Sequence, residues 1–305
     1  MKKFFVFLAI TFVSVLTYAD DCVTVPSGFS GNATITFKRY THKVLTGAFQ
    51  INGSGKQVVF AQGNLQYRAS TDKWRFAENQ YDMIGSDNLN VDTIYDGWID
   101  LFGWGCSGWN SGATEYLPYS ISTTATEYGR GSRSLVESET PSQAHADWAY
   151  HNAIINGGDS DGPAAELWRT LTSDEWNYIL NDRADADLKR SPANVCGVDG
   201  YILLPDSWSL PAGLDFEPDA PEYDINVYDE TDWGQMEANG AVFLPAAGYR
   251  RANVEMRGVG YGYYWSTTHR SNNYAYYFKF MNDSYNAAAY QYRIYGSSVR
   301  PVQEL

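Results

Sequence analysis

Apolar residues in this 305-residue chain come in short runs cut by Gly, Asn, Asp and Pro, and that pattern limits the fold more than any other feature. Val58-Val59-Phe60, Tyr201-Ile202-Leu203-Leu204 and Ala241-Val242-Phe243-Leu244 are strand-length runs rich in β-branched and aromatic residues, the last two each followed by Pro. Helix formers are sparse over long stretches. Aromatic residues make up 16% of the chain, glycines number 27 and charged residues reach only 19%, which together describe a loop-rich, mostly β protein carrying few helices. Tyr alone occurs 24 times, and Tyr with Ser, Gly and Asn is the vocabulary of recognition surfaces as well as of aromatic cores.

Two helix starts are encoded by the same device. In Leu171-Thr172-Ser173-Asp174-Glu175-Trp176, Thr172 can cap the first turn, Glu175 can close a capping box, and Leu171 and Trp176 stand where a hydrophobic staple forms. In Tyr228-Asp229-Glu230-Thr231-Asp232-Trp233, Asp229 caps and Tyr228 can staple to Trp233, while Asn239-Gly240 supplies a left-handed stop. Trp176 and Trp233 are therefore expected in the core, and a third short helix is expected at Asp147-Trp148. Asn64-Leu65-Gln66-Tyr67 reads as a continuation of the Val58 strand past Gly63. Residues 74–110 read as self-packed Gly-aromatic loops, residues 111–143 as a surface excursion, and Thr34-Ile35-Thr36-Phe37 as an extended arm. In the tail, 263–266 reads as a strand and 267–273 as a polar loop. A strand at 274–281 follows, with Tyr276, Phe278 and Phe280 on one inward face. Then come a turn at 282–284, a strand at 287–292 and a last strand at 298–302, whose Pro301 belongs at an edge or bulge.

Lys2 and Lys3 precede an apolar run over residues 4–16, and Thr17-Tyr18-Ala19 offers small residues for cleavage, the pattern of a secretory signal peptide cut after Ala19. The expected organisation is a signal peptide at 1–19, an N-terminal arm or strand at 20–45 and one domain at 46–305, exported to the cell surface or beyond. No later run approaches the roughly 20 residues of a membrane helix, so no membrane insertion is expected. The formal net charge of −14, which includes two lysines lost with the signal, argues against nucleic acid as a partner. Cys22 stands where a lipidated cysteine would, but Asp20 and Asp21 precede it where small residues are needed. Cys22, Cys106 and Cys196 allow at most one disulfide, and none has metal-ligand spacing.

Several motifs occur together in one order: Gly47-Ala48-Phe49, Phe60-Ala61-Gln62-Gly63-Asn64-Leu65-Gln66-Tyr67, Asp100-Leu101-Phe102-Gly103-Trp104-Gly105, Trp168-Arg169-Thr170-Leu171-Thr172 and Ile202-Leu203-Leu204-Pro205-Asp206. Phe243-Leu244-Pro245-Ala246-Ala247-Gly248-Tyr249-Arg250, Gly262-Tyr263-Tyr264-Trp265-Ser266 and Gly296-Ser297-Ser298-Val299-Arg300-Pro301-Val302 complete the set. From about residue 46 to 302 the chain resembles secreted gut-bacterial proteins of the Fibrobacter succinogenes major paralogous domain type, which are similar to C-type-lectin-fold proteins. The resemblance implies an α+β, C-type-lectin-like fold with two main helices, small twisted antiparallel sheets and paired terminal strands, here Val58-Val59-Phe60 beside 298–302. The chain is also similar to variable proteins of diversity-generating retroelements, in which a segment between the Tyr-Trp-Ser and Ser-Val-Arg motifs presents a changeable ligand surface. Fold alone does not choose a function.

Catalytic signatures are missing: the chain has four histidines and neither a Gly-x-Ser-x-Gly elbow nor a His-Glu-x-x-His pair. A formylglycine-type oxidase needs paired cysteines near the C-terminus, and the last cysteine is Cys196. Asp159-Ser160-Asp161-Gly162 with Glu166 lacks the ligands of a complete calcium loop, and Glu217-Pro218-Asp219 only superficially resembles a lectin sugar motif. Both read as solvated acidic turns, so no metal and no cofactor is expected. The expected function is that of an exported, monomeric, non-catalytic module binding a protein or glycan ligand at the cell surface. Its candidate residues are His269, Arg270, Asn272, Asn273, Tyr274, Asn282, Asp283, Tyr285, Tyr290 and Tyr292, with Trp265, Arg293 and Arg300 as scaffold. The alternatives are a carbohydrate-active enzyme with an acidic pair in an aromatic cleft near residues 98–109, and a structural fimbrial or surface component.

Overall fold

The first strand, β1 (Val44–Gln50), reverses through a turn in which the Asn52 side-chain oxygen accepts from the Ser54 and Lys56 N–H groups, and it returns as β2 (Gln57–Ala61). The computed structural model describes residues 44–90, 94–104, 147–158, 167–251, 255–271 and 273–305, which all fall in the unit Arg39–Leu305. The signal peptide, most of the arm, Cys22, Cys106, the 111–143 excursion and the 159–166 acidic turn lie outside the described residues. β1 starts before the expected boundary at residue 46, and Leu45 is already buried in the core. Residues 64–67 do not prolong β2. β3 (Leu65–Arg68) forms its own hairpin with β4 (Lys73–Phe76). The chain passes so close to Ala77 at Gly63 that a Cβ there would sit 2.6 Å from the Ala77 carbonyl oxygen. The loop that follows packs on itself as expected: the Asn88 amide oxygen accepts from the Asp100 and Leu101 N–H groups before β5 (Phe102–Gly103).

The three expected helices form. α1 (Trp148–His151) is capped by Asp147, whose carboxylate accepts from the Ala149 N–H. α2 (Ser173–Asn177) carries the complete capping box between Thr172 and Glu175, then widens into a π-type turn over Tyr178–Asp182. β6 (Arg190–Val195), β7 (Val198–Leu203), β8 (Val227–Tyr228), α3 (Glu230–Ala238) and β9 (Val242–Pro245) follow. The four strands make a sheet in the order β8-β6-β7-β9, so the strands after the two capped helices lie side by side. α3 ends as its sequence requires, with Gly240 at φ 90° and the N–H groups of Gly240 and Ala241 donating to Glu237 and Met236. Trp176 and Trp233 are both buried.

β10 (Tyr249–Arg251) and β11 (Glu255–Arg257) precede the sheet that matters most here, β12 (Gly262–His269), β13 (Tyr274–Phe280) and β14 (Tyr285–Tyr292), in that order. β12 runs to His269, so Thr267, Thr268 and His269 belong to the strand and not to the expected loop. β15 (Tyr295–Ser297) joins β10 and β5, and β16 (Val302–Glu304) closes the sheet β1-β2-β16. Val58, Val59 and Phe60 do pair with the C-terminal strand, but with residues 304, 303 and 302, so Val302 alone of the expected 298–302 stretch takes part. Residues 298–301 cannot make one ladder because their backbones serve different partners. Ser298 bonds to Tyr263 and Trp265, Val299 accepts from Leu65, and Pro301 accepts from Ala61.

The whole is a mixed α/β architecture, mostly small antiparallel sheets with few helices. Arg300 locks these small pieces together. It is fully buried and donates to the Asn64 side chain and to the carbonyls of Ala61, Gln62, Gln80 and Phe243. Burial lowers its pKa to about 10, still far above neutral, so the guanidinium stays charged and holds all of these acceptors.

Candidate functional site

One face of the β12-β13-β14 sheet changes character along its length. At the turn end, Phe278, Phe280 and Ala287 are buried beneath α2 and β7, with the Trp176 and Phe278 rings 5.3 Å apart and those of Tyr201 and Phe280 5.1 Å apart. The same face continues to Tyr276 and Tyr274 on β13. Its alternation on β14 shifts by one residue at a bulge, since Tyr277 faces Ala289 but Lys279 faces Asn286. Tyr290 and Tyr292 therefore share this face with Ala287, and they are 49% and 42% exposed. Tyr276 lies on the expected face but is only half-buried.

The bare end is a tyrosine cluster. Tyr274 stacks 4.6 Å from Tyr292 and meets Tyr290 edge-on at 5.8 Å, with Tyr276 6.5 Å from Tyr290. The exposed Arg270 guanidinium sits 3.3 Å above the Tyr290 ring. A hydrogen bond to Tyr292 is the main cause that raises the Tyr274 phenol, so the Tyr274 hydroxyl stays protonated. Below the cluster, rings continue without a break from Tyr292 to Tyr295 (5.7 Å), Tyr249 (5.2 Å) and buried Tyr263 (4.9 Å). The scaffold behind is tied by indole hydrogen bonds, from Trp104 to the Ser266 carbonyl and from Trp265 to the Phe102 carbonyl. Buried Arg293 lies 4.5 Å over the Trp104 ring.

The structure gathers Arg270, Asn273, Tyr274, Tyr290 and Tyr292 of the expected residues. Asn273 is exposed, and its carbonyl accepts from the Arg293 N–H. His269 is not in the cluster: it lies opposite buried Ala275, on the other face of the sheet, 6.5 Å from the Trp104 ring. Asn282, Asp283 and Tyr285 are at the far end of β13, about 20 Å away for seven residues of strand. There the Asn282 amide donates to Glu222 and the Tyr285 hydroxyl to Asn181, with Arg190 4.7 Å over the Tyr285 ring. Tyr285 is part of the strand and not of the turn. Asn272 lies outside the described residues. Sequence reasoning left out Tyr276 and Tyr295, although the parity of Tyr276 with Tyr274 was readable.

The described residues of the other chemical candidates are engaged in internal contacts. Arg68 and Arg75 both lie over the Trp98 ring, at 4.6 and 4.0 Å from its centre. Asp100 is fully buried and bonded to the Asn88 amide and the Ile84 N–H, and desolvation raises its carboxyl to about 6. Residues 105–109 of that stretch lie outside the described residues. Asp219 pairs with Arg190 at 3.0 Å, and the Glu217 carbonyl accepts from Ser191 and Asn226, so the acidic 217–219 turn is pinned to β6. Among the described residues, no group of three or more His, Cys, Asp or Glu could hold a metal ion, and no helix is long and apolar enough to cross a membrane.

A family model for a domain of unknown function, DUF8237, matches residues 224–302. That span carries the tyrosine cluster and the three strands that present it. No curated protein and no solved structure matches the chain.

Proposed function

We propose that this is an exported, non-catalytic module of C-type-lectin-like fold that binds a protein or glycan ligand at the cell surface through the tyrosine face. One observation carries the reading: four tyrosines and an arginine stand in mutual contact on the bare end of a sheet whose other end is core. Their rings are held by stacking and hydrogen bonds, so little rotamer entropy remains to be lost when a ligand arrives. The hydroxyls on their rims add hydrogen-bond donors and acceptors. The pairing of β2 with both β1 and β16, and two capped helices among small sheets, support the C-type-lectin-like reading. The basic, apolar and small-residue segments at 1–19 support export.

The test is an array of host, dietary and bacterial glycans and surface proteins, probed with the wild-type chain and with Tyr274→Ala, Tyr290→Ala and Asn282→Ala. Binding should fall at least about tenfold in both tyrosine variants, be nearly unchanged in the asparagine variant, and survive a chelator. Equal losses in all three would sink the reading.

A further inference from the structure

Among the described residues no strand pairs with the outer edge of β14, and the ladder determines which of its peptide groups point that way. The Trp265 N–H donates to the Ser298 carbonyl and the Ser298 N–H donates to the Tyr263 carbonyl. Residues 263 and 265 therefore turn their peptide groups away from β13, while Tyr264 turns its own toward Phe278. Alternation along β13 points Tyr276 at β12 as well, where its carbonyl accepts from the Ser266 hydroxyl. Ala275 and Tyr277 are left for β14, opposite Gln291 and Ala289. Tyr290 and Tyr292 consequently direct N–H and C=O out of the sheet, and no described group pairs with them.

Edge strands are ordinarily blunted by charge, proline or a covering element. β14 reads Tyr-Asn-Ala-Ala-Ala-Tyr-Gln-Tyr, eight residues with neither charge nor proline, and its bulge lies before the open tyrosine end. Free peptide groups two residues apart, about 7 Å along a strand, match the repeat of another extended polypeptide. Charge selects the kind. Residues 258–281 and 284–303 contain no Asp or Glu, in a chain whose formal net charge is −14, while Arg270 is exposed beside Tyr290. A second copy would bring two strongly acidic chains together.

We propose that β14 takes an extended acidic peptide segment of a partner protein as a fourth strand, with alternate side chains on Tyr290 and Tyr292 and a carboxylate at Arg270. This rests on the recognition face proposed above and adds to it the ligand class and the backbone that holds it.

A display library of random octapeptides is the probe, selected on the full chain, with selected peptides resynthesised carrying N-methyl groups on alternate residues. Acidic, β-branched peptides should be enriched. N-methylation in one alternate register should weaken them about tenfold or more, the size of one or two lost hydrogen bonds, and the other register should be tolerated. Tyr292→Pro removes an outward N–H but no ladder bond, so it should bind about tenfold more weakly than Tyr292→Ala. Should the proline variant fail to fold, the methylated peptides decide alone. Arg270→Gln should weaken acidic peptides and flatten their salt dependence. Binding indifferent to methylation in both registers would overturn the edge proposal and leave the tyrosine face standing. Enrichment of no peptide, with a tyrosine-dependent glycan found on the array, would do the same. A dimer abolished by Tyr292→Pro would make a second copy the occupant and overturn the partner. If no ligand of any class depends on Tyr290, both readings fall.

Discussion

The two ends of the β12-β13-β14 sheet share strands, alternation and a taste for aromatics, yet Phe278 and Phe280 at one end are core while Tyr274, Tyr276, Tyr290 and Tyr292 at the other are surface. The difference lies in what sits above them. α2 is only five residues long, and its Trp176 indole packs on Phe278. At the covered end even a polar ring is put to structural use, as Tyr285 is by Asn181 and Arg190. At the bare end the rings satisfy one another and leave one face to solvent. Among the described residues, one end of this sheet face is covered by α2 and the other keeps Tyr290 and Tyr292 exposed.

That contrast depends first on a framework both ends share, and removing it should have the largest effect. Arg300→Met would remove the Arg300 donors from the carbonyls of Ala61, Gln62, Gln80 and Phe243 and from the Asn64 amide oxygen. Each unsatisfied buried acceptor costs about 1–3 kcal/mol, so a loss above about 5 kcal/mol is expected in urea titration. Next, Trp176→Ala should cost about 3–5 kcal/mol by uncovering Phe278 and Phe280. A variant melting within a couple of degrees of wild type would mean that α2 does not make the covered end.

A smaller effect should appear in pH dependence, through the segment that leads into α2. Asp147 is fully buried and accepts from the Thr170 N–H, the Thr170 hydroxyl and the Ala149 N–H. Desolvation nevertheless raises its carboxyl from 3.8 to about 7, outweighing these donors and nearby Arg169. Between about pH 4 and 7 the unfolded carboxyl has lost its proton while the folded one keeps it, so this group's contribution to stability declines as pH rises through that window and is level above it. The urea-midpoint advantage of wild type over Asp147→Asn should therefore shrink from pH 4.5 to 7.5, by measurement at about one-unit steps. An advantage that grows instead would contradict the buried, protonated carboxyl. The smallest effect on stability belongs to the bare end: Tyr290→Ala should change it by no more than about 0.5 kcal/mol while binding is lost. A destabilisation near that of Trp176→Ala would erase the contrast between the two ends.

Much of the fold was readable because the decisive interactions are local. The Thr172-Glu175 capping box, the Asp229 cap, the Asn239-Gly240 stop and the Asp147 cap all form as their sequences require, since each involves groups within a few residues. Errors fell where a residue's role is set by a distant neighbour. Thr267 belongs to β12 because its N–H donates to the Leu171 carbonyl, and the Thr268 hydroxyl accepts from the Ser173 N–H. Polarity alone made that stretch look like a loop. The candidate surface divided for the same reason: one polar segment holds His269, Tyr274, Asn282 and Tyr290, but strand pairing sends His269 to the opposite face and Asn282 to the far end.

By itself, the sequence determined where the capped helices start and where α3 stops, that several short apolar runs are strands, and that residues 258–281 and 284–303 carry no acid in an acidic chain. Those properties follow from short-range sterics, capping and charge. Only the tertiary structure decided which end of one aromatic face is buried, that the β14 bulge puts Tyr290 and Tyr292 beside Tyr274, and which of their peptide groups face outward. Alternation assigns each residue to a side of a strand, but burial and pairing depend on what packs against that side, and here the packing comes from Trp176, about a hundred residues away in the chain.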